Sequence, residues 1–188
     1  MKPTLMFLMT IAGAPAVYAQ NPLSTELRGD YNGIKRDITN AADRMSDADY
    51  DYKPSEGNTR TFGQIIGHIA DVQLALCAMA KGEQKRGSAE QTKTSKVDLV
   101  AALKESFDYC DGVYNALTDA SGAEMIKVFG RDRSRFGTLN FNVAHNNEMY
   151  GQIVVYYRAK GISPPSTAHR QMNQGKKKQY RPAISIQC

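Results

Sequence analysis

Three histidines are the whole imidazole inventory of this 188-residue chain: His68, His145 and His169. Imidazole titrates nearest neutral pH and is the commonest nitrogen ligand of metals, so these positions bound where acid–base or metal chemistry can sit. His169 lies in a basic tail beyond Pro164-Pro165. His68 directly precedes an apolar stripe position, Ile69, and His145 follows Phe141 by four residues. Asn142, Asn146, Asn147, Glu148 and Gln152 crowd the segment around His145, where an ordinary surface helix would alternate opposite charges. His145, Glu148, Met149 and Gln152 share one helical face by their spacing of three, four and seven. A polar patch on the inner stripe of a bundle helix builds a site between helices. Spacing alone equally allows a boundary histidine beside exposed asparagines. Asp71, three residues after His68, is in reach to orient the His68 ring or else sits on a solvated face. Tyr150, Tyr156 and Tyr157 read as packing residues. No glycine-rich phosphate loop, Gly-x-Ser-x-Gly elbow or Cys-x-x-Cys pair is present.

The elements that must position these side chains read as four amphipathic helices. Leu27, Tyr31, Ile34, Ile38, Ala41 and Met45 alternate steps of four and three, which predicts a helix over about Leu23 to Met45. The Lys53–Asn58 cluster then marks a loop, and Thr61 is an N-cap for a second helix striped by Phe62, Ile65, Ile69, Val72, Leu76 and Met79. Lys81 to Thr94 reads as a polar loop. Ser95 to Asp98 opens a third helix in the manner of a capping box, followed by Val97, Val100, Leu103, Phe107, Cys110, Val113 or Tyr114, and Leu117. Thr118 to Gly137 is a long connection in which Met125–Phe129 forms a short extended piece. A fourth helix over about Thr138 to Lys160 ends at Gly161. The fold class is therefore all-α, a four-helix bundle with a long crossover connection.

Two motifs in this frame resemble a known family. Thr59-Arg60-Thr61-Phe62-Gly63-Gln64-Ile65-Ile66-Gly67-His68-Ile69-Ala70-Asp71, preceded by Tyr52-Lys53-Pro54, resembles the first signature of the DinB-like (YfiT-like) metalloenzymes. His145-Asn146-Asn147-Glu148-Met149-Tyr150-Gly151-Gln152, with Tyr156-Tyr157-Arg158-Ala159-Lys160-Gly161-Ile162-Ser163-Pro164-Pro165 behind it, resembles the second. The resemblance implies a four-helix bundle, often a homodimer, with a divalent metal (zinc or nickel) held by three histidines. One of these matches His68 and the second matches His145. The third falls on Met149, so the chain departs from the family pattern at one ligand. A thioether prefers soft ions such as copper(I) to divalent zinc or nickel. Glu148, Gln152 and His169 are the remaining candidates to replace the missing ligand. The resemblance further implies metal-dependent thiol transfer or hydrolysis on a small molecule, with the site weakened or lost here. The alternative is a non-catalytic exported bundle that binds a small ligand or a protein partner.

Charge and targeting refine the setting. The formal net charge is +5, and Arg170, Lys176, Lys177, Lys178 and Arg181 of the tail account for all of it. A nucleic-acid-binding domain carries such charge on its fold, so no nucleic-acid partner is expected. Residues 166–188 are read as a disordered basic tail and residues 20–165 as the bundle. Met1 to Ala19 reads as a signal peptide, with Lys2 before the apolar run Leu5–Ala12 and a small-residue cleavage site at Val17-Tyr18-Ala19. No later segment is read as a membrane span, and the expected location is periplasmic or extracellular. Mass spectrometry of the exported protein is expected to show Gln20 as the N-terminus, and recovery of Met1 on the soluble protein would refute this. Cys77 and Cys110 lie on or beside the stripes of adjacent helices and are expected to pair, leaving Cys188 free. Burial as two separate thiols is the other outcome.

Overall fold

The computed structural model describes residues 21–168. The signal-peptide segment, Gln20 and residues 169–188, with His169, Cys188 and the basic residues of the tail, lie outside the described residues, whereas residues 166–168, read in sequence as the start of a disordered tail, form a helical turn whose Ser166 amide donates to the Tyr150 hydroxyl at 2.9 Å. Helix α1, Pro22–Arg44, starts on a proline at its first position, where the missing N–H costs nothing. Its stripe of Leu27, Tyr31, Ile34, Ile38 and Ala41 is buried as the four-three spacing predicts. Helix α2, Phe62–Lys81, begins at Thr61 with a reciprocal capping box to Gln64 and stops at Gly82, whose φ of 87° is the left-handed conformation that ends helices. By length and composition α2 would be long and apolar enough to cross a membrane, which corrects the reading that no such segment exists. Its apolar residues are instead buried against two neighbouring helices.

A single-turn helix α3, Ala89–Thr92, interrupts what reads in sequence as a plain polar loop. Helix α4, Lys96–Ala116, is capped by Ser95, whose hydroxyl accepts from the Asp98 amide. Its buried face is Leu99, Leu103, Ser106, Phe107, Cys110 and Tyr114, while Val97 is 73% exposed. The stripe is thus one position out of phase at its start, and Tyr114 rather than Val113 enters the core. A second single turn, α5, spans Asp119–Gly122 and braces the start of α1. The Asp119 carboxylate accepts from the Leu23 and Ser24 amides at 3.2 and 2.9 Å, and Asn21 Oδ1 accepts from the Asp119 amide at 2.9 Å.

The extended piece is real but has a partner that the sequence did not advertise. Strand β1, Met125–Val128, pairs antiparallel with β2, Arg131–Ser134, with Met125 opposite Ser134. The two-residue turn between them has Phe129 and Gly130 at φ 50° and 78°, the doubly left-handed geometry of tight hairpins. Helix α6, Arg135–Ala159, starts three residues before the expected position, because Ser134 Oγ accepts from the Gly137 amide and caps it.

Helices α1 and α2 each pack against both α4 and α6, so α1 and α2 lie diagonally across the bundle, as do α4 and α6. Two connections therefore cross the bundle, residues 45–61 and 117–134, where one was expected. The core between them contains stacked Tyr31 and Tyr114, with ring centroids 3.9 Å apart, and Tyr157, whose hydroxyl donates to the Ala41 carbonyl. Cys77 of α2 and Cys110 of α4 form a disulfide with Cα atoms 5.5 Å apart, as expected from their places on facing stripes.

Candidate functional site

The site lies where α2 faces α6. His68 Nε2 of α2 is 3.2 Å from His145 Nε2 of α6, with the rings inclined at 50°. The two histidines singled out in sequence therefore meet across the bundle. The other nitrogen of His68 is held from outside: Nδ1 lies 2.8 Å from Glu90 Oε2. Glu90 Oε1 in turn accepts from Arg60 Nε at 2.7 Å, and Arg60 Nη2 stands 3.4 Å from the same His68 nitrogen. A carboxylate at Nδ1 fixes the proton there and leaves the Nε2 lone pair pointing at His145.

Glu90 reaches this position through two local devices. Asp71 accepts from the amides of Ala89 and Glu90 at 2.8 and 3.0 Å, placing its charge at the start of α3. Gly67 lets the α3 backbone lie directly on α2, because a Cβ there would sit 2.7 Å from both N and Cα of Glu90. This corrects the expected role of Asp71: it orients α3, and Glu90 orients the imidazole. Gly67→Ala is expected to destabilise the protein by about 1–3 kcal/mol, since the clash is with backbone that cannot rotate away. Urea denaturation measures it, and an unchanged midpoint would show that α3 is not tightly seated.

Around His145 the polar residues divide sharply. Asn142 and Asn146 are fully buried, contrary to the reading in which the asparagines are exposed. Asn146 Nδ2 donates to Gln73 Oε1 at 3.2 Å, Gln73 Nε2 donates to Ser106 Oγ at 2.5 Å, and Ser106 donates to the Leu103 carbonyl at 2.7 Å. Asn142 Nδ2 donates to the Tyr114 hydroxyl at 3.1 Å, which donates to the Leu139 carbonyl. These ladders tie α6 to α4 and to Gln73 of α2, five residues past His68, and so fix the register of the two histidines. Asn147 and Glu148 are on the exposed side, Gln152 is half-buried and Met149 is 4% exposed.

Electrostatics keep His145 uncharged. Burial holds its imidazole below the ordinary value and the neighbouring His68 pushes the same way, against smaller pulls from Asn146 and Glu148, with Arg60 adding least. Burial works to raise the Glu90 carboxyl, but the hydrogen bonds from Arg60 and His68 prevail and hold it below its usual range. An uncharged imidazole is the state in which a histidine nitrogen offers its lone pair.

The donor set does not fit a three-ligand divalent centre. Among the described residues no group of three His, Cys, Asp or Glu side chains is placed to hold a metal ion. Both Glu90 oxygens are engaged by His68 and Arg60, and Asp71 is engaged by α3. Glu148 points to solvent and so does not replace the missing ligand. His145 Nδ1 is buried without a partner. Glu90 was missed in sequence because it sits in a polar stretch with no periodicity. The only signal for it was a carboxylate just after Ser88, where short helices begin.

A model of the DinB superfamily matches residues 33–153. No curated protein sequence matches the chain. Among solved structures, a DinB-like protein from Bacillus cereus shares 15% identity with a TM-score of 0.66, covering 75% of this chain and 95% of its own. A DinB-like protein from Bacillus subtilis shares 21% identity with a TM-score of 0.58, covering 73% and 93%. A mutant of a mycothiol-dependent maleylpyruvate isomerase shares 15% identity with a TM-score of 0.55, covering 72% and 67%.

Proposed function

The chain belongs to the DinB superfamily, and we propose that it is an exported member that keeps the bundle and the facing histidines but has lost the divalent metal centre and with it metal-dependent thiol transfer or hydrolysis. Its remaining role is to bind a small ligand or a protein partner. The observation that carries this reading is the donor set itself: two imidazoles converge at 3.2 Å, and Met149 stands one turn beyond His145 where a third strong ligand is needed. A catalytic zinc site holds three protein ligands and an open position. Two imidazoles and a thioether do not supply that set.

The setting supports the same reading. The Cys77–Cys110 bridge suits an oxidising compartment, in agreement with the leader-like Met1–Ala19. The structural neighbour named for its mycothiol dependence works with a small thiol. Thiols of that class belong to reducing interiors, so an exported chain is separated from such a cofactor. Elemental analysis of protein purified without an affinity tag tests the proposal. Zinc and nickel are expected well below one equivalent per chain. One tightly held equivalent of either would overturn it and restore the metal-dependent reading with His68 and His145 as ligands.

A further inference from the structure

We infer that His68, His145 and Met149 together form a site for a soft monovalent cation, copper(I) in its cuprous state. The inference rests on the reading above that the divalent centre is lost, and asks what the surviving donors select instead.

Charge is the first argument. An imidazole Nε2 lone pair and a thioether sulfur are neutral donors, the Glu90 carboxylate beside them is engaged by Arg60 and His68, and no third His, Cys, Asp or Glu among the described residues joins the pair in a metal-holding group. Of the charged groups around the pair, Arg60 and Glu90 already compensate one another at 2.7 Å, and Glu148 stands on the exposed side of α6. With Glu148 on the solvent side as the one uncompensated carboxylate nearby, a divalent ion in this half-buried place would keep more unbalanced charge than a monovalent one. Uncompensated charge in a poorly solvated site is costly, so the lower charge is preferred.

Softness and angle are the second and third. A thioether ligates cuprous ions well and zinc or nickel poorly. Met149 is 4% exposed and follows His145 by one turn, so its side chain lies on the same face of α6 as the imidazole. Two nitrogen–metal bonds of about 2 Å that end on atoms 3.2 Å apart subtend roughly 105° at the ion. That bend leaves one side open for a third donor, and the buried Met149, one turn past His145 on the same face of α6, is the thioether that the helix brings to that side. The Glu90 carboxylate on His68 Nδ1 is the outer partner that a ligating imidazole requires, and it is assembled before any ion arrives.

The test is an anaerobic titration of the full chain with cuprous ion against a chromophoric cuprous chelator. Cys188→Ser is the background, which removes the remaining thiol, and the reductant is hydroxylamine, which leaves the Cys77–Cys110 bridge closed. The unsubstituted site is expected to withdraw one equivalent. Met149→Leu, which keeps the volume and apolar character, is expected to weaken binding by more than the about tenfold that outer-shell partners carry. His68→Ala and His145→Ala are expected to abolish it. Circular dichroism confirms that each variant is folded, and X-ray absorption is expected to show one sulfur neighbour that Met149→Leu removes. No uptake by the unsubstituted site, or equal affinity in Met149→Leu, overturns the inference. A parallel zinc titration separates the two ideas: tight zinc binding refutes the lost divalent centre, while weak zinc binding without cuprous uptake refutes the cuprous site alone.

Discussion

Met149→His is expected to convert a weak zinc binder into a tight one, with an affinity gain of at least about a hundredfold, because a first ligand outweighs the about 10–100-fold that its supporting partners contribute. Positions 145 and 149 are one helical turn apart, the spacing at which two imidazoles on one helix reach a single ion. His68 supplies the third nitrogen from α2, already aimed at His145 across 3.2 Å and already backed by Glu90. Water takes the fourth position, which completes the open tetrahedral set of a catalytic zinc. The substitution places a polar ring where Met149 is 4% exposed, so some loss of stability without metal is expected, on the order of 1–3 kcal/mol. Zinc should return that loss by mass action, so the variant's melting temperature should rise with zinc and the parent's should not. Calorimetric titration with zinc, tag removed, measures the gain. If Met149 only fills an apolar gap in a bundle that has no memory of a metal, one histidine brings no sharp gain. If the parent itself binds zinc tightly and stoichiometrically, another residue has taken the third ligand's place.

How far these residues were legible follows from how local their causes are. The four long helices show in sequence because burying one face imposes a period of about 3.6, and Thr61, Ser95 and Gly82 mark ends by chemistry acting within a few residues. Strand β2 reads Arg-Asp-Arg-Ser, with no apolar alternation, and exists because the Phe129-Gly130 turn folds it back on β1. The early start of α6 was hidden by Gly137, which reads as a breaker yet is the residue whose amide Ser134 caps. The facing of His68 and His145 was legible through the motifs, since both flank core stripes. The Arg60–Glu90–His68 relay was not, because it joins a residue before α2 to a single turn 30 positions later through Gly67 and Asp71. Nor was the burial of Asn142 and Asn146, which needs partners on two other helices, Tyr114 and Gln73, before an amide in the core becomes tolerable.

Removing the Cys77–Cys110 bridge is expected to cost about 3–4 kcal/mol of stability, since it closes a loop 33 residues apart and constrains the unfolded chain accordingly. For a chain of this size that is a fall in melting temperature of about 10 °C. The bridge is fully buried at both ends and joins α2 to α4, the pair that the Gln73–Ser106 hydrogen bond also joins. Its loss therefore bears on how α2 is seated, while α6 keeps its own ties to Gln73 and Tyr114. Cys77→Ala with Cys110→Ala is the suitable variant: each alanine leaves a small apolar space and no unpaired hydroxyl. Differential scanning calorimetry of this variant and the parent, both without thiol reductant, measures the difference. Thiol counting supplies the independent check. Denatured but unreduced parent should titrate one thiol, Cys188, and the reduced chain all three of its cysteines. Three thiols before reduction would show the pair to be open in solution. One thiol together with a fall of less than about 1 kcal/mol would show that the bundle already restrains the unfolded chain at this point, so that closing the loop adds little. With the bridge gone and the fold intact below its melting point, the zinc gain of Met149→His should survive, because the ligands sit on α2 and α6 and the bridge touches neither imidazole.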